Sequence, residues 1–258
     1  INLDEIGVTE SFNILGNNKL SSIEKKSLKD DFSSSSMIEN IAQLSGVDAI
    51  SSGTGIQKLV VRGLSGMRVV TYLNGIKIEN QQWANDHGIG FTDLGLYEVE
   101  LIKGSSALKY GGEAVGGVIY FKDDPFVISE VLSGYIGSKF DNSNFLFGNQ
   151  IGLKWSKNNF YINLHAQYSL ASDYRLPNSK YLFNSRYRNR AIKFSIANRG
   201  NKMQNIFRYQ YNGDEVGIPA HSHENLENIN IDDITNSSIN FSQDFKVTRP
   251  TQFINNHL

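Results

Sequence analysis

The sequence predicts two units of different fold class: a small α+β domain over residues 1–124, followed by antiparallel β-strands of the membrane-spanning type. In the first unit, one helical pattern precedes short apolar strands that are separated by glycine. In the second, from about Val131, aromatic and polar residues alternate with a period of two along stretches of about ten residues. The residue pattern changes at Asp123-Asp124-Pro125, which we take as the boundary between the two units.

Composition excludes several classes of protein. The 258 residues carry a net charge of -1, so no basic field exists to attract nucleic acid. The absence of cysteine excludes disulfides, thiolate metal sites and a cysteine nucleophile. No apolar run reaches the roughly 18 residues of a membrane-spanning helix. Because Ile1-Asn2-Leu3 is no natural initiator, we expect the chain to follow a processed or unseen segment.

A short amphipathic helix is predicted over residues 36–45. Ser36 and Glu39 have the spacing of a capping box, and Gly46 stands where a helix end favours glycine. The apolar residues follow the i, i+3, i+4, i+7 spacing of one helix face: Met37, Ile38, Ile41, Ala42 and Leu44.

Short apolar strands follow this helix. Asn74-Gly75 is the strongest short hairpin signal in the first unit. Strands are predicted at residues 59–63, 68–73, 76–78, 97–102 and 116–121.

The second unit reads as strands with two different faces. One face of the first strand carries Phe145, Phe147, Asn149, Ile151, Leu153 and Trp155, and the other carries Leu146, Gly148, Gln150, Gly152 and Lys154. The pattern recurs at residues 160–168 and, more weakly, at 191–197, 205–211 and 237–245. Length and aromatic content favour barrel strands facing lipid, with a soluble sandwich as the alternative.

Several segments, in order, resemble the TonB-dependent outer-membrane receptors. The segment "MIENIAQLSGV" is similar to the helix and turn of their plug domain, Val61-Arg62-Gly63-Leu64 to its Arg-Gly element, and "RVVTYLNGIKI" to the following hairpin. Residues 97–124, "YEVELIKGSSALKYGGEAVGGVIYFKDD", resemble its most recognisable segment. The opening resembles the energy-coupling box, at Leu3, Asp4, Glu5, Ile6, Gly7, Val8 and Thr9.

The resemblance implies an architecture and a location. It implies a coupling box at 1–10, a plug domain at 11–125 and the start of a transmembrane β-barrel at 126–258. The family closes about 22 strands around the plug, and about six are expected here. The location implied is the bacterial outer membrane, with the plug inside the barrel, the N-terminus periplasmic and lipid outside. A periplasmic TonB-type protein would pair with the box by strand addition.

The resemblance also implies structural roles within the plug. The residues carried over are Arg62, Gly63, Gly104, Tyr110, Gly111, Gly116 and Gly117. The glycines at 104, 111, 112, 116 and 117 permit positive φ and close packing of the backbone. Arg62 and Lys103 are expected either to face carboxylates of the barrel wall or to be solvated surface charges.

Two polar stretches are candidates for ligand binding. Residues 79–91 fall where the family places an apical plug loop, and the candidates there are Gln81, Gln82, Trp83, Asp86 and His87. A second loop, expected over 215–224, resembles that of zinc-uptake receptors through His221, His223 and Glu224. Together with His87 these side chains suit a divalent transition metal as transported ligand. The alternatives are an organic or chelated ligand and a merely solvated loop.

The sequence therefore favours an importer of a metal ion, metal chelate or small organic nutrient, and not an enzyme. No nucleophile elbow and no phosphate-binding G-x-x-x-x-G-K-[ST] motif occurs. The alternative is a receptor-like structural subunit, or an incomplete barrel held by a partner such as the barrel-assembly machinery. A surface lipoprotein is a further possible partner.

Overall fold

The computed structural model describes residues 21–28, 37–53, 56–78, 94–126, 130–200, 203–217, 235–239, 241 and 251–257. Within these ranges, no helix has both the length and the apolar character needed to cross a membrane.

The N-terminal unit, residues 21–126, is built on a five-stranded sheet. Its elements are β1 (Ser21–Ser27), α1 (Met37–Ile41), β2 (Val47–Gly53), β3 (Ile56–Val61), β4 (Val69–Leu73), β5 (Ile76–Ile78), β6 (Leu96–Gly104) and β7 (Gly117–Asp123). The order in the sheet is β1-β6-β7-β4-β5, while β2 and β3 form a separate hairpin. Only the β4–β7 pair among these is parallel. The strands predicted from sequence in this unit are confirmed.

Both faces of this sheet are covered. Because side chains alternate along a strand, Val69 and Leu73 lie on one face and Val70 on the other. The first face forms the main core with α1 and the β2–β3 hairpin. On the second, Val70, Ile102 and Val118 pack with Ala107 of the 3₁₀ helix Ser105–Tyr110. The N-terminal unit therefore has a hydrophobic core of its own.

Helix α1 is shorter than predicted, because it ends at Ile41 and not at residue 45. After Ala42 the chain tightens into turns in which the Leu44 amide donates to the Ile41 carbonyl at 2.9 Å. Gly46, with φ of 73°, ends this segment. An i, i+3 apolar spacing is satisfied by such turns as well as by a helix, and so the pattern overestimated the helix length.

Strand β1 was not predicted, because Ser21–Ser27 contains one apolar residue, Ile23. It lies at the sheet edge and pairs with β6 over its whole length. Lys25 forms an ion pair with Glu100 at 2.6 Å, and the Lys26 ammonium donates to the Asn40 carbonyl at 2.7 Å. Backbone pairing and charge hold this strand, neither of which produces a hydrophobic pattern.

The described residues between 130 and 257 form a large sheet and a small three-stranded sheet of β11, β12 and β15. The elements of this unit are β8 (Ser133–Asp141), β9 (Leu146–Lys157), β10 (Phe160–Ala171), β11 (Tyr174–Arg175), β12 (Tyr181–Leu182), β13 (Tyr187–Arg199), β14 (Gln204–Gly217), β15 (Thr235–Asn236) and β16 (Thr251–His257). The main sheet has the antiparallel order β16-β14-β13-β10-β9-β8. We call it the six-stranded sheet.

The alternation predicted for residues 145–155 and 160–168 is confirmed. The outer face of the six-stranded sheet exposes apolar side chains, among them Phe147, Ile151, Leu153, Trp155, Phe160, Leu164, Tyr168 and Ile192. The inner face, which contacts the N-terminal unit, buries polar ones, among them Asn163, His165, Ser169, Lys193 and Ser195. Apolar-out and polar-in alternation is the pattern of a barrel wall in a lipid bilayer.

Two predictions in this region differ from the structure. The strand expected at 237–245 does not include its described residues 237–239 and 241, and the rest of that range lies outside the described residues. Glu215, Val216 and Gly217, expected in a loop, belong to β14. Glu215 and Val216 pair with Arg188 and Tyr187 of β13, and all three residues pair with β16. The backbone pairing of β14 therefore continues beyond the end of its apolar alternation.

The two ends of the six-stranded sheet differ in the length of their connections. At one end two residues join β9 to β10, and residues 200–203 join β13 to β14. At the other end residues 142–145 join β8 to β9, residues 172–186 join β10 to β13, and residues 218–250 separate β14 from β16, so that the two longest connections lie at this end. Short periplasmic turns and longer extracellular loops are typical of outer-membrane barrels, which orients the sheet.

Candidate functional site at the contact between the two units

The N-terminal unit contacts the inner face of the six-stranded sheet through two adjacent acids at the end of β7. Asp123 pairs with Lys193 of β13, and Asp124 pairs with Lys154 of β9. Arg208 of β14 places its Nε 3.5 Å from Asp123 Oδ2. Three different strands of the sheet therefore supply cations to one corner of the N-terminal unit.

The residues just before β6 touch the same place. The Lys193 ammonium donates a hydrogen bond to the Leu94 carbonyl at 3.3 Å. Gly95 has φ of 65°, and a Cβ added there would lie 2.7 Å from Cδ2 of His165. The Asp124 amide donates to the Gly95 carbonyl at 3.4 Å, which joins the chain before β6 to the chain after β7.

Aromatic side chains extend the contact beyond the ion pairs. The rings of Phe126 and Tyr161 meet edge to face with centroids 4.4 Å apart. The Arg208 guanidinium lies over the Phe126 ring, 5.4 Å from its centroid. On the inner face, the Tyr135 hydroxyl lies 3.0 Å from Nδ1 of His165, which orients that imidazole.

This contact is mainly ionic and is largely closed to solvent. The side chains of Lys193 and Asp123 are 4% and 6% exposed. Burial removes hydration from both charges of an ion pair, so the pair stabilises the contact only if its geometry is good. Since the N-terminal unit keeps its own core, separating it from the sheet would break polar contacts and leave that core intact.

Lys103 does not face a carboxylate of the six-stranded sheet. Its ammonium donates to Glu24 Oε1 at 2.5 Å and to the Ser45 carbonyl at 2.7 Å, both within the N-terminal unit. Hydrogen bonding from Lys103, together with the Ser45 amide, lowers the pKa of Glu24. Arg62 is exposed, with φ of 51°. Lys103 thus joins β1, β6 and the turn after α1.

The glycines carried over from the resemblance occupy different environments. Positive φ occurs at Gly63, Gly104, Gly111 and Gly117. A Cβ on Gly116 would lie 2.7 Å from the Arg68 carbonyl oxygen, whereas nothing lies within 4 Å of one on Gly112. Tyr110 packs against Tyr72 with ring centroids 5.1 Å apart and against Tyr120 at 6.2 Å.

The other predicted site residues lie outside the described residues. They are the coupling-box residues 3–9, Gln81, Gln82, Trp83, Asp86 and His87 of the expected apical loop, and His221, His223 and Glu224. Across the described ranges, no three His, Asp or Glu side chains are grouped as a metal ion would require.

Sequence reasoning missed the residues of this contact. Asp123 and Asp124 were taken only as a boundary, and Lys154 only as an inward position of a strand. The sequence did carry a signal for this contact. Two acids follow a buried strand, and single lysine and arginine residues occur later at positions that face the inner side of the sheet. Which acid meets which cation depends on tertiary structure.

Comparison with known proteins matches the N-terminal unit to a known domain family. The sequence model of the TonB-dependent Receptor Plug Domain matches residues 17–118, which include strands β1 to β6 and the first two residues of β7. The N-terminal unit is therefore similar to the plug domain of TonB-dependent receptors. The N-terminal unit is hereafter the plug domain.

Individual relatives agree with this assignment. The chain is 30% identical over 99 residues to vitamin B12 transporter BtuB of Photobacterium profundum, covering 38% of this chain and 16% of that protein. The ferric citrate transporter FecA aligns with a TM-score of 0.60 at 18% identity, over 78% of this chain and 32% of FecA. The ferric yersiniabactin uptake receptor FyuA from Yersinia pestis aligns with a TM-score of 0.59 at 15% identity, over 77% and 32%.

The chain spans about a sixth of BtuB and about a third of each structure. The fold predicted from sequence, an α+β plug followed by antiparallel barrel strands, is confirmed. Receptors of this family are outer-membrane β-barrel proteins, which places the apolar outer face in lipid.

Proposed function

We propose that the full-length protein is an outer-membrane receptor that imports a nutrient with energy from a periplasmic TonB-type coupling protein. The observation that carries this proposal is the plug domain, held by ion pairs on the inner face of a sheet whose outer face is apolar. Because the plug domain has its own core and is attached by polar contacts, it can move relative to the six-stranded sheet without unfolding that sheet.

The proposed ligand site is the apical loop of the plug. Trp83 can stack on an organic ring, Gln81 and Gln82 can hydrogen-bond it, and Asp86 and His87 can bind a metal ion. Similarity to receptors named for vitamin B12, ferric citrate and ferric yersiniabactin supports an organic ligand or metal complex as the cargo. The ligand would reach this loop from the extracellular end of the barrel.

The coupling step is assigned to residues 3–9. An extended segment offers its backbone to the coupling protein, and strand addition then transmits a pull to the plug. The first described strand after this segment is β1, whose edge position exposes it to such a pull.

The transport proposal is tested on the full-length receptor in cells that lack the chromosomal copy. Binding and accumulation of radiolabelled vitamin B12, ferric citrate and Zn²⁺ would be measured separately. We expect one of these probes to accumulate, and Ile6→Pro to abolish its accumulation while its binding at the cell surface persists, because proline removes a strand hydrogen bond. The matched control is Ile23→Val in β1.

Accumulation that is equal with and without Ile6→Pro would contradict coupling through the box. Absence of binding for all three probes, together with co-purification of barrel-assembly machinery or a surface lipoprotein, would favour the alternative of a structural or assembly-bound subunit.

A zinc cargo makes a separate prediction. The double substitution His221→Ala with His223→Ala should reduce Zn²⁺ binding to the full-length receptor by about tenfold or more, because imidazole is the principal neutral zinc ligand available. Isothermal titration would measure it, with His257→Ala in β16 as the control. Unchanged Zn²⁺ affinity would assign the His tract to the solvated loop surface and leave an organic ligand or chelate.

A further inference from the structure

The outer face of the six-stranded sheet changes from apolar to charged near its extracellular end. Strands β13 and β14 carry Arg188, Arg190 and Glu215 there. Side chains alternate along a strand, so both arginines share a face with Ile192, which is exposed on the outer face. Glu215 lies directly opposite Arg188 in the β13–β14 register. All three side chains therefore point away from the plug.

The height of this charged group matches the upper edge of the apolar band. Phe160 begins β10 beside the short turn from β9, and Tyr168, eight residues later, pairs with Arg190. At about 3.3 Å per residue and a tilt of about 40°, this stretch of β10 rises by about 20 Å. Arg188 lies two residues nearer to the long connections. Since the apolar band of an outer-membrane barrel is about 25 Å tall, both arginines lie where hydrocarbon meets headgroups.

The three side chains are joined and retain one positive charge. Arg188 and Arg190 each donate from Nη2 to a different carboxylate oxygen of Glu215. Two guanidinium groups beside one carboxylate leave a net charge of +1. Among the described residues, no hydrogen-bond partner meets the buried Nε of Arg188. Arg190 has 53% of its side chain exposed, so its remaining donors are open to a ligand from outside the barrel.

A phosphorylated lipid headgroup has the chemistry that this group of side chains requires. Guanidinium groups present paired N–H donors that match phosphate oxygens. An unneutralised cation at the edge of the hydrocarbon is costly, and an anionic headgroup removes that cost. Below the arginines, Ile192 and Leu164 are exposed apolar side chains against which acyl chains can pack. Free phosphate would lack that second contact.

We propose that Arg188, Arg190 and Glu215 form a binding site for the phosphate of a lipid headgroup in the outer leaflet. The two guanidinium groups bind the phosphate, and the acyl chains lie along the apolar face below them. Glu215 holds the guanidinium groups side by side and limits their excess charge. The site lies on the opposite side of the sheet from the plug, so it goes beyond the transport proposal and needs neither cargo nor coupling protein.

The test measures lipid binding to the full-length receptor in detergent micelles by native mass spectrometry. The probe is dioleoyl phosphatidic acid, whose headgroup is a phosphate monoester, and dioleoyl phosphatidylcholine is the reference lipid. We expect Arg188→Gln with Arg190→Gln to weaken phosphatidic acid binding by about tenfold and to leave phosphatidylcholine binding unchanged. The matched control is Lys157→Gln, which removes a cation from the same face at the opposite end of β9 and should have little effect.

Glu215→Gln separates a binding site from an ion pair that only stabilises the wall. It raises the excess charge from +1 to +2, so phosphatidic acid should bind several-fold more tightly, whereas weaker binding would overturn the proposal.

Equal phosphatidic acid binding in the double arginine variant and the unmodified receptor would also overturn the proposal, and so would an equal loss in Lys157→Gln. Release of the lipid by excess inorganic phosphate would assign the site to the free anion and contradict a lipid site. Heat-modifiable electrophoretic mobility checks that each barrel has folded. If the double variant does not fold, Arg190→Gln alone should still weaken binding several-fold, and unchanged binding there would equally contradict the proposal.

Discussion

At the scale of single residues, Glu24 makes the plug sensitive to pH. Its pKa lies below the ordinary value of 4.5 because Lys103, with 4% of its side chain exposed, donates to it. The ionised form therefore stabilises the folded state above the unfolded-state pKa. That contribution is lost as pH falls through the lowered folded-state pKa.

Glu24→Gln should remove this effect. We expect the free energy of opening of β1 to fall by about 1–3 kcal/mol at about pH 7, because a buried ammonium loses its charged partner. Below about pH 4.5, the protection of the β1 amides should also decrease less with falling pH in the variant than in the unmodified receptor. Hydrogen exchange of residues 21–28, corrected for intrinsic rate, measures both. Identical pH profiles for the two proteins would argue against the Glu24–Lys103 pair as the cause.

Gly116 and Gly112 offer a matched test of close packing. Gly116→Ala should destabilise the plug by about 1–3 kcal/mol, since its Cβ would meet the rigid Arg68 carbonyl. Gly112→Ala, with open space around the new methyl group, should change stability by less than about 0.5 kcal/mol. Native-state hydrogen exchange of residues 117–123 would report the difference. Similar losses in both variants would mean that the chain adjusts around residue 116.

At the scale of elements, β1 depends on charge more than on apolar burial. Lys25 and Lys122 both pair with Glu100, whose pKa is raised by burial but lowered more by these two ammonium groups. Ion pairs at a partly exposed sheet edge are weakened by salt. Strand β1 is therefore an element whose attachment responds to ionic strength.

Lys25→Met should make β1 open more readily by about 0.5–1 kcal/mol, the typical worth of a partly exposed pair. Hydrogen exchange of residues 21–28 measures this opening at low and at high salt. The difference between the variant and the unmodified receptor should shrink at high salt, where the pair is screened. A difference that does not depend on salt would point to lost packing of the lysine stem.

The elements that sequence predicted are those whose burial follows a simple period. Strands β9 and β10 face lipid on one side and the wet lumen on the other, so their pattern is nearly complete. Strand β1 does not have one apolar and one polar face. The apolar spacing that predicted α1 also fits tight turns. The Lys193 contact was not predictable, because it joins residues about 70 and 100 positions apart in sequence.

At the scale of the whole molecule, the two faces of the six-stranded sheet suit two different environments, an apolar one outside and a polar one inside. Leu164 lies on its outer face, 40% exposed, whereas Gln150 lies on its inner face. A charge that points outward must enter the hydrocarbon or displace lipid, and one that points inward meets water and polar groups.

Leu164→Arg should therefore reduce the stability of the full-length barrel by about 2–4 kcal/mol if it lies near the bilayer midplane, whereas Gln150→Lys should have a much smaller effect. The folded fraction can be read from heat-modifiable electrophoretic mobility after refolding into lipid vesicles. Equal tolerance of both substitutions would indicate that the outer face is covered by protein and not by lipid.

The order of the plug sheet also determines when this domain can be completed as the chain is made. Strand β7 is the last of its five strands in the sequence, yet it stands at the centre and joins the β1–β6 pair to the β4–β5 hairpin. Before β7 is available, the described strands of this sheet that precede it form two separate pairs, β1–β6 and β4–β5, each with an unpaired inner edge that is open to pairing with another strand. Because β7 ends at Asp123 and Asp124 follows directly, the strand that completes the plug sheet leads into the two acids that attach the plug to Lys193 and Lys154 of the six-stranded sheet.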